Sequence, residues 1–419
     1  MQKLIIEGSR ELRGEIRIQG AKNSILPIMA ATLLCDEECI IYNCPDILDV
    51  KTTIEILQYL GRSTTFEDSV LTVKPGNLKK SDIPEFLMRK MRSSIVFLGA
   101  LISKTGKAEV TLPGGCELGP RPIDMHLSGF KQLGVRINEN HGKIECSVIK
   151  RIKGAEIMLP FPSVGTTENI MLAAVSCEEV TTIRNAAREP EIVDLANFLN
   201  KMGASIDGAG ESTITIKGCK KFNSASHKII PDRIVAITYL CAAAITGSRL
   251  VIKGIPKNFI NSVIPLFEET GCLIKFFDEK NLQIYSPERL QSVKTVRTMP
   301  YPGFPTDVQA PVMAMLTTAF GTSVFVETIF GSRYKHVDEL ARLGANIKTE
   351  GSVAIVDGVK NLSGANVSAT DLRGAAALVI AALAAEGVTI ISNIGYLKRG
   401  YEKMEDNLRS LGAVIKQSM

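Results

Sequence analysis

Glu191-Ile192-Val193-Asp194-Leu195-Ala196-Asn197-Phe198-Leu199-Asn200-Lys201-Met202, then Gly203, then Ala204-Ser205-Ile206, is the phrase on which the fold turns. Its apolar residues recur at helical spacing, Gly203 is placed to cap the helix C-terminus, and a strand follows. A second strand, Thr213-Ile214-Thr215-Ile216, lies beyond small and polar residues and makes a hairpin-like pair. The same phrase recurs around Gly61, Gly134, Gly271, Gly344 and Gly412; with Gly203 included, successive glycines lie 73, 69, 68, 73 and 68 residues apart. That period is too long for a solenoid and fits domains built by triplication.

Each unit also carries a helix of a different kind, expected over 24–34, 93–102, 168–177, 235–245, 309–320 and 374–385. These stretches are apolar nearly all round, so each must be covered on every side, and three of them are expected to bundle inside each half. Six units then give two domains of three. The sixth unit stops after its cap without a returning strand, while the chain starts with an orphan one, Lys3-Leu4-Ile5-Ile6. The expected division is therefore 21–228 and 229–419, with residues 1–20 completing the second domain.

At 419 residues, 45% hydrophobic and 22% charged, the chain has ample material for two cores. A net charge of +5, no Trp and 5% aromatics leave little for stacking on bases, so nucleic acid is not an expected partner. The longest apolar runs fall well short of the roughly 20 residues needed to span a bilayer, and the first residues lack a signal core. Nine cysteines, odd in number and without a Cys-x-x-Cys, read as reduced thiols of a cytoplasmic protein. His126, His141, His227 and His336 are scattered, and neither they nor Cys35, Cys39 and Cys44 have metal-ligand spacing. Gly-x-x-x-x-Gly-Lys-[Ser/Thr] and Gly-x-Gly-x-x-Gly after a strand are both missing, so neither ATP nor NAD has its usual sequence support.

Two features carry chemistry. The run Leu112-Pro113-Gly114-Gly115-Cys116-Glu117-Leu118-Gly119-Pro120-Arg121 puts a thiol in a glycine- and proline-rich loop beside a cation, which favours thiolate. From Pro113 to Gly134 this unit runs 21 residues, against 18 for Asn43 to Gly61 and 18 for Asn185 to Gly203. The loop is thus an insertion, long enough to serve as a lid. The second feature stands at the starts of the apolar helices: Lys22-Asn23, Arg92, Thr166-Thr167, Asp232-Arg233, Thr306-Asp307 and Asp371 to Arg373. Capping accounts for the aspartates and threonines. Lys22, Arg92, Arg121 and Arg373 oppose the helix dipole and call for another reason, namely an anionic ligand held in a cleft.

The chain resembles the MurA family of UDP-N-acetylglucosamine enolpyruvyl transferases. Gly20-Ala21-Lys22-Asn23, Leu112 to Cys116, Arg121-Pro122-Ile123-Asp124, Asn185 to Glu191, Phe304-Pro305-Thr306-Asp307, Thr370 to Arg373 and Arg399-Gly400-Tyr401-Glu402 match its motifs in order. The resemblance implies an α/β fold: a two-domain inverse α/β barrel, each domain three βαβαββ repeats around buried helices. It implies transfer of the enolpyruvyl group of phosphoenolpyruvate to the 3'-hydroxyl of UDP-N-acetylglucosamine with release of phosphate, and neither metal nor organic cofactor. By the same resemblance Lys22, Arg121 and Arg399 would hold phosphoenolpyruvate, with Arg333 and Arg373 supporting its charge. Asn23, Arg92, Arg121, Pro122, Ile123, Asp124, Met125, Ser163, Val164, Asp307 and Ile329 would line the nucleotide-sugar site. Cys116 would supply the proton to C3 or attack C2, and Asp307 would take the hydroxyl proton or only orient that hydroxyl.

Two positions depart from the family. Phe161 stands where many members carry a lysine, and Phe330-Gly331-Ser332-Arg333 lacks an acidic neighbour of the arginine. Within the same fold the rival is a 5-enolpyruvylshikimate-3-phosphate synthase, against which the Cys116 loop and Lys22-Asn23 argue. A catalytically silent binding protein is the rival from another class, against which intact Cys116, Asp307, Lys22 and Arg399 argue.

Overall fold

Backbone conformation at the six cap glycines shows why the phrase repeats. In a computed structural model, which describes residues 2–8, 11–78, 80–114 and 123–418, Gly61, Gly134, Gly203, Gly271, Gly344 and Gly412 all take positive φ, from 84° to 111°. At Gly203 the peptide N–H donates to the Asn200 carbonyl (3.0 Å) and that of Ala204 to the Leu199 carbonyl (3.2 Å), satisfying the last carbonyls of helix Pro190–Lys201. A side chain at such a φ clashes with the backbone, which is what reserves the position for glycine.

The chain divides into two compact units. Among the described residues, one comprises those up to Gln19 together with Pro231 onward, the other Gly20 to Gly114 and Ile123 to Ile230. Each holds three small sheets. In the first unit, Lys3–Glu7 lies between Val388–Ser392 and Val414–Ser418, antiparallel to both, with Ile5 opposite Ile390 and Lys416. Arg13–Arg17 runs parallel to Arg249–Lys253. In the second unit Ser226–Lys228 runs parallel to Cys39–Tyr42. The parallel pairs flank a buried helix, and the antiparallel hairpins follow the capped one, giving β-α-β-α-β-β.

The buried helices are α1 (Lys22–Ala31), α2 (Phe97–Thr105), α3 (Val164–Ala174), α4 (Arg233–Ile245), α5 (Gln309–Leu316) and α6 (Leu372–Ala384). All thirteen residues of α4 are buried, and α4, α5 and α6 pack on one another. Short 3-10 turns, Arg92–Val96 and Thr306–Val308, lead into α2 and α5, so the helices expected from 93 and 309 have tighter entries. Each unit has its own apolar core. Among the described residues no helix is long and apolar enough to cross a membrane.

Candidate active site

In the first unit the starts of α4, α5 and α6 converge. Asp232 caps α4 by accepting from Ile234 N (2.9 Å) and Val235 N (3.1 Å), and Asp371 caps α6 by accepting from Arg373 N (3.0 Å) and Gly374 N (3.2 Å). Asp307, in the turn before α5, is clamped by two arginines. Arg333 Nη2 donates to Oδ1 and Arg373 Nη2 to Oδ2, each at 3.0 Å. Both arginine side chains are only 3% exposed. Burial works against the charge of Arg373, but Asp307, Tyr401 and Asp232 outweigh it and hold the guanidinium above its ordinary pKa.

A directed chain of hydrogen bonds fixes that guanidinium. Arg373 Nη1 donates to the Tyr401 hydroxyl (3.2 Å), and the Thr238 hydroxyl donates to the Ile234 carbonyl (2.8 Å). Thr238 has one proton, so Tyr401 donates to it across their 3.0 Å contact. Arg333 donates also to the Thr306 carbonyl (2.9 Å). It is thus held without the acidic neighbour that Gly331 replaces. Arg399 is half-buried as the C-cap of helix Gly395–Lys398, and Ile329 is half-buried in the loop that leads to Arg333.

In the second unit Lys22 opens α1 and pairs with Asp49 at 2.8 Å, the two side chains 11% and 3% exposed. Asn23 and Arg92 are half-buried at the starts of their helices. Ser163 caps α3, accepting from Thr166 N at 3.3 Å, with Val164 as its first residue. Ile123 is buried, Asp124 exposed and Met125 half-buried at the start of helix Asp124–Gln132. Asn169 of α3 donates to the Ile95 carbonyl (2.9 Å) and to His126 Nδ1 (2.9 Å), and accepts from Gly99 N (2.8 Å). It ties the middle of α3 to the start of α2. Burial, with Arg92 adding to it, lowers the His126 pKa to about 4. The ring is a neutral Nε2–H tautomer.

Cys116, Arg121 and Pro122 lie outside the described residues, as does the lid expected around them. The other eight cysteines are free thiols, seven of them buried. Burial pushes the Cys39 and Cys146 thiols up to about 12, which makes them poor nucleophiles. Phe161 exposes 38% of its surface ahead of Ser163. Among the described residues no cluster of three or more His, Cys, Asp or Glu is arranged to hold a metal ion.

Sequence reasoning missed Glu327, whose buried carboxylate accepts hydrogen bonds beside Asp307, and Tyr401 as the group behind Arg373. The family profile described as EPSP synthase (3-phosphoshikimate 1-carboxyvinyltransferase) matches residues 6–408. The chain belongs to this enolpyruvyltransferase family. It is 50% identical over 419 residues, the whole of both chains, to UDP-N-acetylglucosamine 1-carboxyvinyltransferase 2 of Caldanaerobacter subterraneus subsp. tengcongensis. To the UDP-N-acetylglucosamine 1-carboxyvinyltransferase of Thermotoga maritima it is 47% identical, over 99% of this chain and 98% of that one. Among solved structures, the enolpyruvyl transferase NikO from Streptomyces tendae shares the fold with a TM-score of 0.90 at 24% identity, covering 100% of this chain and 99% of that one. EPSP synthase from Acinetobacter baumannii shares it at 0.74 and 16% identity, covering 100% of both.

Proposed function

We propose that this enzyme transfers the enolpyruvyl group of phosphoenolpyruvate to the 3'-hydroxyl of UDP-N-acetylglucosamine and releases phosphate, the first committed step of peptidoglycan synthesis. The carrying observation is 50% identity across the full length of a relative of that name. The sugar oxygen adds to C2 while a proton reaches C3. Loss of a C3 proton and departure of phosphate then restore the double bond.

Lys22, Arg121 and Arg399 hold the donor's phosphate and carboxylate, with Arg333 and Arg373 behind them. Their cationic character and the free N–H groups at helix starts suit two anionic substrates. Cys116 delivers the proton to C3 or attacks C2. Both oxygens of Asp307 already accept from guanidinium groups. That supports the orienting role for the sugar hydroxyl, and an arriving anion that drew Arg333 or Arg373 away would free an oxygen to take the proton. Asn23, Arg92, Arg121 to Met125, Ser163, Val164 and Ile329 line the nucleotide-sugar site.

Each unit serves as one three-repeat domain, residues 1–20 completing the one that holds 229–419. The strand pairing of Lys3–Glu7 supports that assignment. The enzyme works in the cytoplasm, where phosphoenolpyruvate and nucleotide sugars are made. Phosphate release from phosphoenolpyruvate tests the reading: it depends on UDP-N-acetylglucosamine and not on shikimate 3-phosphate. Release with shikimate 3-phosphate alone would transfer the chain to the rival activity, and no release by folded enzyme would make it a binding protein.

A further inference from the structure

Glu327 is 4% exposed, and both of its oxygens are used. Oε1 accepts from Ile329 N (2.8 Å), Phe330 N (3.1 Å) and the Thr298 hydroxyl (3.0 Å). Oε2 accepts from the Thr306 hydroxyl at 2.9 Å. One oxygen therefore shapes the loop that carries Ile329, and the other reaches across to the residue before Asp307. The same loop ends at Arg333, whose Nη2 donates to the Thr306 carbonyl and to Asp307. Thr306 is thus tied at its hydroxyl by Glu327 and at its carbonyl by Arg333.

A buried carboxylate is costly to desolvate, and four hydrogen bonds offset that cost while stiffening whatever donates them. Here the donors belong to two segments, Thr298 and Thr306 on one side and the 329–330 turn on the other. We propose that Glu327 is a positioning residue: through Thr306 it sets the direction of the Asp307 carboxylate, and through its own turn it sets Ile329. This rests on the proposed function, in which Asp307 meets the sugar hydroxyl. Glu327 faces the acceptor half of the chemistry, so its loss is felt in turnover rather than in capture of phosphoenolpyruvate.

The test uses Thr306→Val and Glu327→Gln in the full chain, with folded content matched by circular dichroism. Thr306→Val removes the hydroxyl link alone and leaves the carbonyl link to Arg333. Its kcat falls about tenfold while the KM for phosphoenolpyruvate stays within about twofold of wild type. Glu327→Gln keeps an oxygen for the turn and offers an N–H to the Thr306 oxygen, so it retains kcat within about threefold. Thr306→Val turning over at the wild-type rate overturns the proposal, as does a rise in the KM for phosphoenolpyruvate that accounts for the whole loss. A wild-type chain that releases no phosphate from the two substrates would instead sink the reading of function beneath it.

Discussion

His336 and His126 are two residues at which stability meets pH. His336 is fully buried, and burial, with Arg333 adding to it and Asp371 opposing, lowers its pKa to about 4; His126 falls to about 4 as well. An unfolded histidine titrates near 6.5, so between about pH 6.5 and 4 the unfolded chain binds protons that the folded one refuses. The contribution is complete above pH 6.5 and is lost as the pH falls toward 4. Each ring accounts for at most about 3 kcal/mol across that window. The two rings therefore lower the melting temperature on acidification, against buried Glu168, whose raised carboxyl pKa acts in the opposite sense, and His336→Gln should flatten the drop even where it lowers the plateau. An unchanged acid slope in His336→Gln would refute the assignment. Neither burial could be read from the residues: the sequence offered His126 and His336 only as scattered imidazoles. The Asp307 clamp was half legible, since its members stood in recognisable motifs. Glu327 was not, because an acid at the end of an apolar strand carries no periodic signal.

At the scale of elements the cap glycine does most to place the chain. Gly344 has φ of 92° with nothing within 4 Å of an added Cβ, so a substitution there probes the backbone alone. Gly344→Ala should cost about 1–2 kcal/mol with kcat intact, while Gly344→Asn costs less because asparagine tolerates left-handed backbone. Equal melting temperatures for wild type and Gly344→Ala would contradict the cap account. Three repeats carry a second marker that the sequence reading passed over. Asn43, Asn185 and Asn393 take positive φ, and their amides donate to Ile229, Leu159 and Ser368, beside the neighbouring parallel strands. The signal was available in Asn43-Cys44, Asn185-Ala186 and Asn393-Ile394 after each strand. Among the described residues one repeat departs, pairing its first segment only by the bridge between Asp82 and Glu109. Pro84, without an N–H to donate, stops the strand there.

For the whole molecule, six copies of one pattern make two units with separate cores, and among the described residues the chain passes from one unit to the other after Gln19 and again after Ile230. The repeat and its caps were legible because periodicity and glycine survive divergence between copies. The chemistry was legible only where motifs carried it, since side chains from different repeats meet at helix starts that spacing alone does not bring together. Ser24, Asp194 and His227 illustrate the limit: Ser24 and His227 both bond to the Asp194 carboxylate, joining α1 to helix Pro190–Lys201 and strand Ser226–Lys228, and no sequence pattern links them. In the proposed reaction the donor's three carbons end on the sugar. Incubation with carbon-13 phosphoenolpyruvate and UDP-N-acetylglucosamine, followed by NMR, should show the labelled enol ether on the 3'-oxygen of the sugar and free phosphate in equal amount. Label recovered only as phosphoenolpyruvate or pyruvate, with the sugar unmodified, would contradict the account.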